Sequence, residues 1–390
     1  MMRPGPANIF ATLIFASIIF GVPIIQAVLE LRQGEQPQAL DVFAQKPTVD
    51  NLRAYEASLE EASWAVKNLR PWMQYVQFVL LKEAGEKALI GRNGWLFYRP
   101  AVEYLTRRLV THKGVSGPGD PLHAIIFFRD QLASRGIQLL VVPAPNKVSI
   151  YPEMLTSRVL GTGGAMCPET RELCHGLQAA GVEVVDLFTL FQEARQKKGE
   201  PRGRGLYLAQ DSHWSPAGVE LAAEAVAQRV LQRGWVKPGA VEYAESPVRL
   251  RRLGDLVRML QVPQIERHAP LQDIVCKQVV RQDSRTLYQD APDSEVLVLG
   301  DSFLRIYEQD EPGAAGFVAH LAKELKQPLT SIINDGGAST LVRQELYRRP
   351  QLLANKKLVI WEFVERDIRF GTEGWQLIPL PPASAAGVIK

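Results

Sequence analysis

Cysteine is scarce in this chain: Cys167, Cys174 and Cys276 are the only three in 390 residues. None belongs to a CxxC pair or stands with a His/Cys cluster, so the ordinary zinc sites are excluded and no metal is expected. Neither sign of charge is in excess, since 45 Lys and Arg against 42 Asp and Glu leave a net charge of +3. That balance speaks against a general nucleic-acid-binding surface. With 46% hydrophobic and 22% charged residues the chain has the composition of a folded protein, not a disordered one. No glycine-rich nucleotide-binding loop is found, and no cofactor is expected. No internal repeat is evident. Cys167 and Cys174, in MCPETRELC, could close a local disulfide in an oxidising compartment and leave Cys276 free; three unpaired thiols are the alternative.

Charge is missing altogether between Arg3 and Glu30. The segment Ile9 to Leu29, IFATLIFASIIFGVPIIQAVL, has the roughly 20 apolar residues needed to cross a bilayer as a helix. It is too long for the apolar region of a cleaved signal and lacks a small-residue cleavage site, so residues 1–32 are expected to be a retained single-pass anchor. A cleaved signal and a free soluble chain are the alternative. Pro23 can be accommodated in a membrane helix. Arg3 favours a cytoplasmic amino terminus, which leaves the rest of the chain outside the inner membrane.

Residues 33–87 are expected to form a polar spacer followed by a helical arm that carries the main domain away from the bilayer. In this arm Leu52, Tyr55, Leu59 and Val66 share one face, and Pro71 marks a break. Its aromatic residues are expected to be packing surface. From residue 88 to 378 the texture alternates. Apolar runs at 137–142, 182–186, 295–300, 329–333 and 357–363 are separated by helical stretches such as 121–135, 169–180, 216–233 and 339–354. Near-continuous apolar strands between helices predict an α/β domain with a mostly parallel sheet covered on both faces. Residues 237–290 break the rhythm and are expected to be an insertion, their basic stretch VRLRRLGDLVRML a solvated helix face. Residues 379–390 are expected to be a loose tail.

Two fragments carry chemistry. In SEVLVLGDSFLR a buried strand runs into Gly300, Asp301 and Ser302, and ligands of open α/β sheets sit where strands end. Ser302 is therefore a candidate nucleophile, although Gly-Asp-Ser is also ordinary turn chemistry. A serine needs a base beside it. Among six histidines only His213, in YLAQDSHWSPAG, has an acid two residues away and a helix start just after it, at Ser215 and Pro216. Asp211 could fix the imidazole tautomer so that the other ring nitrogen takes the serine proton. A helix-capping role for Asp211 with a structural His213, or a metal site on the pair, are the alternatives. Trp214 could stack on a sugar ring or pack in the core.

These fragments come in order with GRNGWLFY (91–98), VPAPNKVSIYPE (142–153) and VIWEFVERD (359–367). Together they resemble the alginate O-acetyltransferases of the bacterial periplasm, of AlgJ/AlgX type, whose catalytic domains are SGNH-hydrolase-like. The resemblance implies a three-layer fold and a triad of Asp211, His213 and Ser302. The order Asp, His, Ser places it in the permuted branch. The Ser302 N–H is expected to be one oxyanion donor, and Asn146, in the loop after a strand on the same edge of the sheet, is a candidate for another; Lys147, Tyr98, Trp361 and Arg366 are candidate substrate contacts, and a structural role is the alternative for each. A membrane-bound O-acyltransferase would supply acetyl groups, and a polysaccharide would accept them. Ser212 departs from the threonine frequent there, and no long C-terminal segment is seen for a carbohydrate-binding module, which leaves the polymer open. A glycan acetyl-esterase with the same triad and a non-catalytic, glycan-binding scaffold remain as alternatives.

Overall fold

The computed structural model describes residues 6–44, 46–81, 83–107, 119–158, 164, 166–196 and 205–381. Residues 382–390 of the expected tail, and His112, lie outside the described residues. The chain divides into two units, Met1–Ala84 with Gln261–His268, and Gly85–Leu260 with Ala269–Lys390.

The first unit is helical. Pro6–Gln33 is one helix with Pro23 inside it, and its segment Ile9–Gln33, of mean hydropathy 2.3, is long and apolar enough to cross a membrane. The expected spacer forms a 3₁₀ turn, Gln38–Phe43. The arm breaks at Ser63, not at Pro71. Ser63 leaves the helical region at ψ 120°, ends the helix Val49–Ala62 and caps the helix Trp64–Val76, its hydroxyl accepting the Val66 N–H at 3.4 Å. Pro71 is accommodated inside that second helix.

The second unit is built on nine strands among the described residues: β1 Ala88–Ile90, β2 Leu96–Tyr98, β3 Gln138–Ala144, β4 Glu183–Val184, β5 Tyr243–Arg252, β6 Gln272–Arg281, β7 Val296–Gly300, β8 Thr330–Ile333 and β9 Leu358–Val364. The five apolar runs singled out in the sequence form one sheet, ordered β4-β3-β9-β7-β8, and every pairing in it is parallel. Side chains alternate between its faces. Leu140, Val142, Val298, Leu358 and Ile360 point into a core completed by the helices Leu187–Gln196, Pro216–Arg233 and Phe317–Leu325. Their neighbours Leu139, Val141, Leu297, Leu299 and Val359 point into a second core under Pro121–Ala133, Pro168–Ala179 and Leu341–Arg348. Both faces of the central strands are therefore dry, which is why these segments read as unbroken apolar runs. Each fully buried Val, Leu or Ile contributes about 1.5–3 kcal/mol.

Residues 237–290 add no strand to that sheet. They hold a separate antiparallel ribbon, β5 with β6, paired from Tyr243 and Arg281 to Arg252 and Gln272. The basic stretch expected to be a helix face is instead the end of β5, followed after Gly254 by the short helix Asp255–Met259. The three cysteines are free: Cys167 and Cys276 are buried, and no bond joins Cys167 to Cys174. The tail begins later than expected, because Leu380 is buried and its N–H reaches Gln131 Oε1 at 2.5 Å.

Candidate active site

At the carboxyl end of β7 the backbone turns at Gly300. A Cβ there would lie 2.4 Å from Glu362 Oε2 and 2.5 Å from a Leu304 methyl, so any larger residue would have to displace both side chains. The glycine is needed for contact, not for an unusual φ. Asp301 follows, buried, its N–H donating to Glu362 Oε2 at 3.2 Å and its Oδ1 accepting the Phe303 N–H at 2.8 Å. This cap starts the helical turn Ser302–Arg305. Ser302 stands at its head, half-buried, and its backbone N–H has no partner among the described residues.

The segment with the base arrives from the other side. Ser215 caps the helix Pro216–Arg233 by accepting the Gly218 N–H at 3.2 Å, and its own hydroxyl donates to Gly205 O at 2.6 Å. Trp214 Nε1 donates to Phe303 O at 3.0 Å, which ties the two fragments together across 89 residues of sequence. Asp211 Oδ1 accepts both the His213 backbone N–H, at 3.1 Å, and His213 Nδ1, at 2.7 Å. With that proton on Nδ1, Nε2 is left to accept from the Ser302 hydroxyl, 2.9 Å away. Two residues of spacing thus let one turn set both the backbone and the ring of the histidine.

Electrostatics reinforce the geometry. Burial pushes the Asp211 carboxyl up, but the His213 hydrogen bond and charge and the Arg252 guanidinium outweigh it and hold the group well below the usual carboxylate range. Burial pushes the His213 imidazole down; the hydrogen bond and charge of Asp211, with Asp255 adding to them, win and raise it. The net result favours a base with more proton affinity than an ordinary histidine.

Asp255 and Arg252 were not legible as site residues. Arg252 Nε donates to Asp211 Oδ2 at 3.1 Å, and the Asp255 N–H reaches the same oxygen at 3.3 Å. Asp255 accepts the Ser212 N–H at 2.6 Å and the Ser212 hydroxyl at 2.5 Å, and lies 3.4 Å from His213 Nδ1. Gly254 makes this possible, since a Cβ there would come within 1.9 Å of Gln210 O. The only signal in the sequence was a Gly-Asp pair at the end of a basic run. Asp211, His213 and Asp255 bring three ligand-type atoms within 4.8 Å of one another. Arg252 bonds Asp211 and Ser212 bonds Asp255, while burial and the neighbouring Asp211 charge push the Asp255 carboxyl up.

The other candidates divide. Asn146, just past β3, is buried, and both polar atoms of its side chain lack a partner. Its N–H donates to Glu365 Oε2 at 3.1 Å. Glu365 also accepts from Ser149 at 2.5 Å, from Thr170 at 2.9 Å and from the Cys167 N–H at 3.2 Å, and so braces the Asn146 turn. Arg366 lies over the Tyr98 ring at 4.9 Å and over Phe303 at 5.8 Å, and the Phe303 ring is 5.2 Å from that of His213. Tyr98 and Arg366, both half-buried, therefore stand beside the triad.

Lys147 does not face a substrate. Its buried Nζ donates to Leu208 O and Ala209 O at 2.8 Å and to Asp211 O at 2.9 Å, spending all three protons on the loop that carries Asp211. Burial pulls its pKa down to about 7, with Asp211 and Asp255 opposing. Trp214 is fully buried, stacked on Phe317 with ring centres 5.9 Å apart, and so is closed to sugars. Trp361 points into the opposite core, its Nε1 donating to Ala338 O at 2.9 Å. A groove of about 670 Å³ lies elsewhere, around the start of β3 and β4, and none of the candidate site residues lines it.

The family profile described as "SGNH hydrolase-like domain, acetyltransferase AlgX" matches residues 88–365. The chain belongs to that family. It is 25% identical over 311 residues to the probable alginate O-acetylase AlgJ of Azotobacter vinelandii, covering 75% of this chain and 72% of that protein. The AlgJ of Pseudomonas syringae pv. tomato is 24% identical over 302 residues, 75% of this chain and 71% of that protein. The O-acetyltransferase domain of Pseudomonas putida AlgJ superposes with a TM-score of 0.55 at 20% identity, over 76% of this chain and 94% of that domain, and shares the fold.

Proposed function

We propose that this protein is an O-acyltransferase that carries an acetyl group on Ser302 and passes it to hydroxyls of an alginate-like exopolysaccharide, outside the cytoplasm. The hydrogen-bonded line from Asp211 through His213 to Ser302, with steps of 2.7 and 2.9 Å, carries this reading. The names of its relatives, alginate O-acetylases, support acetyl as the group and the polymer as the acceptor. The apolar helix Pro6–Gln33 supports a membrane setting, and on this reading the acetyl donor is a membrane-bound O-acyltransferase. Tethering beside such a donor raises the effective concentration of the two sites.

In the first half-reaction His213 Nε2 takes the Ser302 proton as Oγ bonds to the acetyl carbon. The negative charge on the carbonyl oxygen falls to the Ser302 N–H and the Asn146 amide, both without a partner among the described residues. Collapse breaks the bond to the donor oxygen, which leaves with the proton from Nε2. In the second half a sugar hydroxyl gives its proton to Nε2 and attacks the acetyl-serine, and Ser302 then recovers the proton. Asp211 remains a carboxylate throughout and stabilises the imidazolium.

The purified protein, an activated acetyl ester and de-acetylated alginate oligosaccharide should yield acetylated sugar. Free acetate alone, at a rate the sugar does not change, would make the protein an esterase. Undiminished glycan acetylation in a Ser302→Ala strain would leave it a scaffold.

A further inference from the structure

The helix Trp64–Val76 continues through Gln77–Leu81 and carries an apolar stripe that no described residue of its unit covers. Leu69, Trp72, Met73, Val76 and Leu80 recur at helical spacing and are 48%, 58%, 60%, 46% and 72% exposed. Pro71, Tyr75 and Phe78, on the opposite side, are half-buried. The arm's aromatic residues are thus only partly the packing surface that the sequence suggests.

The start of this helix is bonded to the apolar helix Pro6–Gln33. Gln26 Oε1 accepts the Trp64 N–H at 2.7 Å, while Gln26 Nε2 donates to Glu30 Oε1 at 2.8 Å and reaches Ala62 O at 3.4 Å. At the helical rise the run from Ile9 to Gln26 is about 27 Å long, close to the hydrocarbon thickness of roughly 30 Å. A bilayer spanned from Ile9 therefore ends near Gln26, at the level where the stripe-bearing helix begins. Between Trp64 and Leu81 the only charges are Lys67 and Arg70, with no acid, which suits anionic headgroups.

We propose that Trp64–Leu81 lies in the headgroup boundary of the bilayer on the far side of the anchor, its stripe toward the acyl chains. The arm then lies along the membrane rather than carrying the catalytic unit away from it. This inference rests on the membrane setting above and not on acyl-transfer chemistry, so each can fail without the other.

The test uses the full chain in vesicles of phosphatidylethanolamine and phosphatidylglycerol, with Cys174→Ser removing the half-buried thiol. An environment-sensitive fluorophore is placed on Met73→Cys, Lys67→Cys or Ile18→Cys, and quenching by nitroxide lipids is measured. Shallow nitroxides should quench the label at 73 about threefold or more beyond the label at 67, and deep nitroxides should quench that at 18. Equal quenching at 67 and 73 overturns the proposal, as does a label at 73 shielded from lipid and water alike by a second copy. Quenching at 18 without quenching at 73 overturns it while leaving the anchor intact. An unquenched label at 18 removes anchor and interfacial helix together.

Discussion

The loop that carries Asp211 and His213 has most of its polar atoms bonded, whereas Ser302 and Asn146 keep donors unspent. Lys147 gives three protons to the loop's carbonyls, Arg252 and Asp255 hold Asp211 and Ser212, and Gln272 Oε1 accepts the Ala209 N–H at 2.8 Å. Across from it the Ser302 N–H and the Asn146 side chain have no partner among the described residues. On the proposed route the base keeps one orientation through both half-reactions, so fixing it costs nothing later. The oxyanion exists only in transit, and donors already bonded to protein could not meet it without reorganising.

The sharpest way to break the comparison is to remove the atom between the two sides. Ser302→Ala should lower kcat for transfer by about 10⁴-fold or more with the fold unchanged by circular dichroism. Asp211→Asn should cost about 10³–10⁴-fold and also change the pH profile. The free imidazole is the active form, so activity falls as pH drops through the His213 pKa. Because Asp211 raises that pKa, the acid limb of kcat/KM in the native protein should lie above the ordinary histidine value of about 6.5, and in Asp211→Asn it should move down. An unmoved limb would mean that Asp211 does not set the base.

On the open side, Asn146→Ala should lower kcat by about 10²–10³-fold while KM changes little, as for a donor used only in the transition state. An equal rise in KM would make it a ground-state contact. On the bonded side, Arg252→Met should reduce thermal or denaturant stability by about 1–3 kcal/mol, because buried Asp211 loses a charged partner. Asp255→Asn should be mildest, about tenfold or less in kcat, since the amide oxygen still accepts the Ser212 N–H.

The parallel sheet was legible because its central strands are dry on both faces and carry runs of Val, Leu and Ile. The hydrogen-bonded line of Asp211, His213 and Ser302 was legible because Asp211 and His213 are two residues apart and Ser302 follows a strand directly. What secures the triad was not, for three physical reasons. Arg252 ends a ribbon outside the sheet, whose alternating exposed arginines resemble any solvated segment, and Asp255 opens the short helix that follows it. Lys147 and Glu365 act by satisfying backbone groups, a duty with no spacing rule. The arm gave way at Ser63 because a capping hydroxyl and an extended ψ end a helix there, while Pro71 sits within a helix.

The central claim is that the acyl group is carried on one hydroxyl, and the mass of the protein tests it directly. Exposed briefly to an activated acetyl ester, the native chain should gain about 42 Da, mapped to the peptide bearing Ser302, and His213→Ala should gain it far more slowly. The same gain in Ser302→Ala at the native rate would contradict the account.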